Sequence, residues 1–317
     1  MLEKIYGTKN YKYLFLVPAV MLVFSILGIQ HIKLGVDLKG GYGITIYKPM
    51  NVTSLKKTLE NDLEGLDIRE INTEQGKGVI IEFTDFKDTA KAEKLYQAGN
   101  IEEAKRILSK YTEVTDDFNN SLYRAREVLK NRLLEKLGVT NEKVIIKEVG
   151  PSLGSSFLQH SINVIIIAFI LMSIIVFLSF RNPIPSIAII QAAVFDVIFA
   201  LGMMGYLGIP LGLPTVAALL MLIGYSVDTD ILLTTRMLKR TGRYQEKIVG
   251  AFRTGIYLTI CALVSAMVMY VVASVVGIEV LGMIGSVLTF GLFADVISTW
   301  CTNAGMLIWY MRRKRHG

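Results

Sequence analysis

Cysteine and histidine are scarce in this chain of 317 residues, which has two of the first and three of the second. Cys261 and Cys301 both lie in apolar runs, so no disulfide framework and no thiolate metal site can be built from them. His31, His160 and His316 are scattered, which leaves metal chemistry without support and implies no cofactor. Charge is sparse as well. Charged residues make up 19% of the chain against 52% hydrophobic, with a mean hydropathy of +0.46. A water-soluble globule is excluded by that balance.

The charge that exists is unevenly placed. The formal net charge is +7, from 34 basic and 27 acidic residues, yet residues 32–155 carry 20 of each. The whole excess therefore lies in the apolar remainder, where basic residues flank hydrophobic stretches. This is how a membrane protein becomes basic, and it implies lipid, not nucleic acid, as the surrounding partner.

Six stretches are long and apolar enough to cross a hydrocarbon core, approximately Tyr13–Gln30, Phe157–Phe180, Pro185–Leu207, Leu213–Leu233, Gly255–Ile278 and Met283–Tyr310. The first follows Lys4, Lys9 and Lys12, as a signal peptide would. Leu14 to Ile29 is one uncharged run, however, and no small-x-small cleavage site precedes His31 and Lys33, so it is read as a retained span. The connection after the fourth span holds Arg236, Lys239, Arg240, Arg243, Lys247 and Arg253 against Glu246 alone, and the chain ends in Arg312, Arg313, Lys314 and Arg315. The connections at Gly208–Gly212 and around Glu279 hold no basic residue. Both termini are therefore expected in the cytoplasm, with the large polar region outside. The domain plan is residues 1–31 for the N-terminus and first helix, 32–155 for an external domain, and 156–317 for five more helices with a basic cytoplasmic loop at 234–254 and a basic C-terminus.

The external region reads as mixed α/β. Tyr42–Lys48 alternates like a strand, and Asn51 or Thr53 can cap a helix running to about Leu63. Asp67–Thr73 and Gly78–Phe83 read as strands paired around Gly76, followed by helices over about Asp88–Lys110 and Asp116–Leu137 and a strand at Lys143–Val149. The order β-α-β-β-α-β suggests a ferredoxin-like sandwich with an enlarged second helical part. The expected fold is thus a multi-pass α-helical membrane protein of six transmembrane helices, with an α/β domain between the first and second.

Few ionisable residues occur within the spans: Asp196 in the third, Asp228 and Asp230 in the fourth, Asp295 in the sixth. A carboxylate in hydrocarbon costs at least about 2.5–3.5 kcal/mol on insertion scales. One such residue could cap a helix end, face a wet cavity or pair for structure alone; four on three spans point to ion movement. Asp228 and Asp230 lie about 200° apart around a helix and cannot point the same way. Asp228 follows the wholly apolar Val216–Ile223 and is the first choice for a proton-coupling carboxylate, with Asp230 second. Thr234 and Thr235 could supply polar company. Arg253, opening the fifth span, is either a positive-inside anchor or an ion partner for one of these carboxylates.

Two glycine-rich segments bracket the external region. Gly35-Val36-Asp37-Leu38-Lys39-Gly40-Gly41 follows the first span, and Val149-Gly150-Pro151-Ser152-Leu153-Gly154 enters the second. Neither is a phosphate loop, because no Lys-Ser/Thr pair follows a helix-opening glycine run.

These segments, with Phe195-Asp196-Val197, Gly224-Tyr225-Ser226-Val227-Asp228-Thr229-Asp230 and Arg253-Thr254, resemble the SecD/SecF family of the resistance-nodulation-division superfamily, and within it the SecF branch. The resemblance covers nearly the whole chain. Two departures stand out: Phe195 replaces the family's usual His, and Asp228-Thr229-Asp230 replaces the bacterial Asn-Asp, a variant that looks archaeal. The resemblance implies an accessory subunit of the Sec translocase in the cell membrane. It would act with SecD and the SecY channel to help secreted polypeptides leave, using the proton motive force and no nucleotide. A rival reading within the superfamily is half of a small-molecule exporter. An enzyme reading, an intramembrane aspartyl protease using Asp196 and Asp228, lacks the Gly-x-Gly-Asp such proteases carry, since residues 225–228 read Tyr-Ser-Val-Asp.

The topology is directly testable. Cysteines introduced at Lys87 and Arg243 are expected to react with an impermeant thiol reagent from outside and inside respectively. Labelling of both from one side would contradict six spans.

Overall fold

The structure is a computed structural model and describes residues 13–73, 76–139, 144–239 and 244–316. The chain divides into two compact units, one formed by Gly35–Leu158 with Ser274–Gly277 and the other by the apolar helices.

In the α/β unit, a one-turn helix α2 (Val36–Lys39) follows α1 (Leu16–Ile29) and leads into β1 (Gly41–Ile46). Asn51 caps α3 (Val52–Leu59), its side-chain oxygen accepting from the backbone N–H groups of Thr53 and Ser54. This helix stops at Leu59 and not at Leu63, because Leu63–Glu64 (β2) turns back to pair with Asp85–Phe86 (β5). Between them, β3 (Asp67–Thr73) and β4 (Gly76–Phe83) form an antiparallel pair. The expected helix Asp88–Lys110 is two helices, α4 (Lys87–Gln97) and α5 (Ile101–Leu108). Gly99, at φ +86°, breaks it in a conformation that other residues rarely adopt. Asp117 then caps α6 (Phe118–Lys136), and β6 (Val144–Val149) closes the unit. Lys143, the expected start of that strand, lies outside the described residues.

The main sheet runs β3-β4-β1-β6 with antiparallel neighbours. Its register places Ile44 opposite Ile81 on one side and Ile146 on the other. Ile44, Ile46, Ile81 and Phe83 pack with Leu59, Leu63 and Leu133 into one core. On the flank, the Arg126 guanidinium on α6 grips Asp85 and Glu93. Burial alone would lower the Arg126 pKa, but these two carboxylates outweigh it and hold the pKa above its ordinary value.

The two glycine-rich segments meet within this unit. A Cβ on Gly154 would lie 2.3 Å from the Gly40 nitrogen, and one on Gly40 would lie 2.7 Å from the Pro151 Cα. Asp37 is buried and its Oδ1 lies 2.6 Å from the Lys147 ammonium on β6. Gly35 supplies the carbonyl that accepts from the backbone N–H groups of Leu38 and Lys39. Gly150 accepts from Gly154 through its carbonyl in the same way.

The second unit holds α7 (Pro151–Phe180) from residue 159 onward, α8 (Pro183–Leu207), α9 (Leu213–Lys239), α10 (Tyr244–Val276), α11 (Glu279–Ile297), a π-helical segment Ser298–Asn303 and α12 (Ala304–His316). Five of its helical segments are long and apolar enough to cross a membrane, the last running Glu279–Arg313; the apolar helix Tyr13–Ile29 is shorter. Over half of each apolar window of α8 and α9 is buried, against 17% for α7 and α10. So α8 and α9 form the centre, and α7 and α10 turn broad apolar faces outward. Small residues let α1 approach α8 closely: a Cβ on Gly28 would lie 2.3 Å from the Gly202 oxygen, and one on Gly205 would lie 1.9 Å from the Gly28 oxygen. Leu219, Leu222, Ile189, Met204 and Val176 fill the core around them.

Gly41 gives a stability test for the α/β unit. It sits at φ +121°, and a Cβ there would lie 2.3 Å from the Phe83 oxygen. Strain of this kind costs roughly 1–3 kcal/mol. The fragment Lys33–Glu148 is expected to unfold in one cooperative thermal transition, and Gly41→Ala to lower its midpoint by at least about 4 °C. An unchanged midpoint would contradict the packing of β1.

Candidate functional site

Three helices and the π-helical segment bring polar side chains to one place in the apolar core. Asp196 on α8, Ser226 and Asp230 on α9, Asp295 on α11, and Ser298, Thr299 and Asn303 on the π-helical segment are all fully buried. The π segment explains the last three. Its wider i→i+5 turn, a feature frequent at functional sites, shifts the register of the helix after Asp295. Asp295, Thr299 and Asn303, four residues apart, then lie on the side facing α9.

The hydrogen bonds form a continuous set. The hydroxyls of Ser226 and Ser298 donate to the two oxygens of Asp196 at 2.6 and 2.7 Å. Thr299 Oγ1 lies 2.9 Å from Asp230 Oδ1 and 3.1 Å from Asp295 Oδ1. Asn303 Nδ2 donates to Asp230 Oδ1 at 2.7 Å, and Thr259 on α10 donates to Asp295 Oδ2 at 3.4 Å. The buried polar residues among those described include no Lys, Arg or His. Burying an unpaired charge is costly, so the cluster must gain protons or a cation when it is out of water.

Thr299 sharpens this. Its hydroxyl has one hydrogen and two carboxylate neighbours, so it can donate to only one of them. The other contact becomes a hydrogen bond only if that carboxyl carries a proton. Asp230 and Asp295 are thus linked through one hydroxyl, whereas Asp196, with a donor on each oxygen, is satisfied as a carboxylate.

The expected site residues separate into two groups. Asp228 does not join the cluster: it is exposed, as are Gly224 and Tyr225, and the three share one face of α9. The helix turns Asp228, about 200° from Asp230, away from the buried carboxylates. Ser226 and Asp230 from the same motif point inward. Arg253 is exposed on α10, and among the described residues no ion pair joins it to these carboxylates, so the partner role read from the sequence is not realised within this chain. Its neighbour Thr254 donates back to the Gly250 carbonyl at 3.4 Å. Asp196 and Asp228, the pair an aspartyl protease would use, do not share a site. Sequence reasoning missed Ser298, Thr299, Asn303 and Thr259; the signal was the polar run Ser298-Thr299…Thr302-Asn303 inside an otherwise apolar span.

A bundle of apolar helices with a carboxylate cluster at its core and an α/β domain inserted after the first helix defines a polytopic membrane protein. A family model described as protein export membrane protein SecD/SecF, C-terminal, matches residues 129–313, and the chain belongs to that family. The protein-export membrane protein SecF of Methanocaldococcus jannaschii is 34% identical, over 97% of this chain and 98% of its own length. That of Methanothermobacter thermautotrophicus is 36% identical, over 96% and 93%. The crystal structure of SecDF, a translocon-associated membrane protein from Thermus thermophilus, superposes with a TM-score of 0.68 at 17% identity, covering 96% of this chain and 39% of that one. A heavy metal efflux pump superposes with a TM-score of 0.54 at 11% identity, covering 100% of this chain and 49% of the pump. These two likenesses show the fold alone.

Removing a bridging hydroxyl should be felt in stability. Thr299→Val is expected to destabilise the detergent-solubilised protein by about 1–3 kcal/mol, since it removes the hydroxyl that two buried carboxyls share. Asp228→Asn, at an exposed position, should stay within about 0.5 kcal/mol of the parent. Equal effects in thermal unfolding would contradict the division of the motif.

Proposed function

We propose that this chain is a SecF-type accessory subunit of the Sec protein translocase in the cell membrane, acting with SecD and the SecY channel to help secreted polypeptides across by drawing on the proton motive force. The observation that carries the ion-coupling part is the Asp196–Asp230–Asp295 cluster, three buried carboxyls from three helices, two of them bridged by the Thr299 hydroxyl, with no basic partner among the described buried residues. Membership of the SecD/SecF family carries the export part. The relatives that match nearly the whole chain are named for protein export, which favours this reading over half of a small-molecule exporter.

Several finer points belong to the same reading. The short apolar helix Tyr13–Ile29 with the five long ones supports six spans, and the basic loop at 234–254 supports cytoplasmic termini with residues 32–155 outside. The strand order β3-β4-β1-β6, with α3 between β1 and β3 and α4–α6 between β4 and β6, supports a ferredoxin-like sandwich. The chain spans 39% of the SecDF chain. Membership of the SecD/SecF family supports SecD as a partner. The exposed face of α9 bearing Met221, Gly224, Tyr225 and Asp228 offers a surface for it. Arg253, on the exposed side of α10, is open to a counter-charge supplied by the assembly.

In membrane vesicles holding the assembled complex, Asp230→Asn is expected to abolish stimulation of export by a proton gradient while SecD still co-purifies. Asp295→Asn should weaken it, and Asp228→Asn should keep most of it. Loss in Asp228→Asn with full retention in Asp230→Asn would place the carrier on the exposed face instead.

A further inference from the structure

The α/β unit has a cavity of about 260 Å³ beside α6. Three buried core residues, Leu63 of β2, Phe86 of β5 and Leu133 of α6, give it an apolar floor. Its remaining lining includes three cations and two carboxylates, so one positive charge is in surplus. Both carboxylates are already engaged. Asp62 Oδ2 lies 2.8 Å from the Lys136 ammonium, and Asp88 accepts from the Tyr111 hydroxyl. The Lys87 ammonium donates to the Glu60 carbonyl at 2.7 Å. Arg132 remains, exposed on α6 and joined to no carboxylate by an ion pair among the described residues.

Arg132 is held in place without being neutralised. Its guanidinium carbon lies 5.5 Å from the centroid of the Tyr111 ring. Burial and the hydrogen bond to Asp88 push the Tyr111 pKa up to about 12, so the hydroxyl stays protonated and keeps the ring anchored. A guanidinium over a ring face keeps its N–H edges free, and that planar fork matches a carboxylate. We propose that this cavity receives the C-terminal residue of another polypeptide, with an apolar side chain on the floor and the α-carboxylate on Arg132. The proposal goes beyond the export reading and does not depend on it.

The size of the cavity and the closeness of floor and cation choose the occupant. One cavity of about 260 Å³ offers both an apolar surface and a spare cation, so one residue must supply both an apolar group and a negative charge. Among unmodified residues only a C-terminal one with an apolar side chain does so. Inside an extended segment, neighbouring side chains point to opposite faces, so an apolar residue and an adjacent acidic one would not enter together. Residues two apart share a face but stand about 6.6 Å apart along the chain, which calls for a second site beside the cavity. A small inorganic anion would satisfy Arg132 and leave the floor bare. Capture of a chain end by its carboxylate is a recurring mode of peptide recognition.

The test is fluorescence anisotropy of labelled hexapeptides added to the full chain in lipid nanodiscs. A peptide ending in leucine with a free carboxylate is expected to bind saturably. Its C-terminal amide, and a free-acid peptide ending in serine, should each bind about tenfold more weakly or worse. Arg132→Gln should bind the free acid and the amide alike, whereas Arg124→Gln, which removes the same charge from α6 outside the cavity, should bind as the parent does. Arg132 is exposed, so its substitution should leave the thermal transition of the chain unchanged. The three peptides test the unsubstituted chain by themselves, whatever the variants do. No saturable binding up to about 1 mM, or equal affinity for the free acid and the amide, would overturn the proposal. So would an amidated peptide with an internal aspartate binding as tightly as the free acid, which would assign the cavity to internal segments.

Discussion

A carboxyl group placed in a hydrocarbon-spanning bundle must find its hydrogen bonds inside the protein, and most of the local architecture follows from that requirement. The small residues of α1 and α8 let those helices close up, which puts Asp196 in the middle of the bundle instead of at its rim. The π-helical turn sacrifices regular helix geometry to present Ser298, Thr299 and Asn303 to carboxyls on α8, α9 and α11. Around them Leu219, Leu222 and Leu292 belong to the apolar core of the bundle. The polar set is thus supplied with hydroxyls and an amide but with no permanent positive charge.

On the proposed coupling role, that deficit is what the cluster uses. A carboxyl paired with an arginine has little reason to exchange its counter-charge, whereas one held by hydroxyls must take it from a mobile ion. The three aspartates come from three helices, so a shift of any one changes the donors of the others and hence the affinity for that ion. Movement coupled to ion occupancy needs two arrangements of this kind, each favouring a different charge state. The α/β unit contributes a separate constraint: its entry and exit segments are held against each other by the contact of Gly40 with Pro151 and Gly154. Its two ends therefore move together.

Much of this was legible in the residues. The apolar runs, the strand alternation of Tyr42–Lys48 and the cap at Asn51 each act locally, and the helices and strands fall where those signals lie. The aspartates were also visible, because charge in an apolar run is conspicuous. Which of Asp228 and Asp230 faces inward was not, since that depends on the rotation of α9 against α8 and α11, set by packing around Ala218, Leu222 and Ser226 rather than by the motif. The π turn was equally hidden: its residues read as a polar patch in a continuous helix until their partners on other helices are known. Gly99-Asn100 could have signalled the break between α4 and α5, but the helix formers on either side of the pair outweighed it.

Infrared difference spectroscopy of the full chain in lipid tests the shared-charge cluster most directly. At neutral pH a carboxylic-acid C=O band is expected from the core, and it should be lost or shifted by Asp230→Asn or Asp295→Asn and by Thr299→Val, but not by Asp228→Asn. A band that survives all three core substitutions, or that disappears with Asp228→Asn, would contradict a proton held between Asp230 and Asp295.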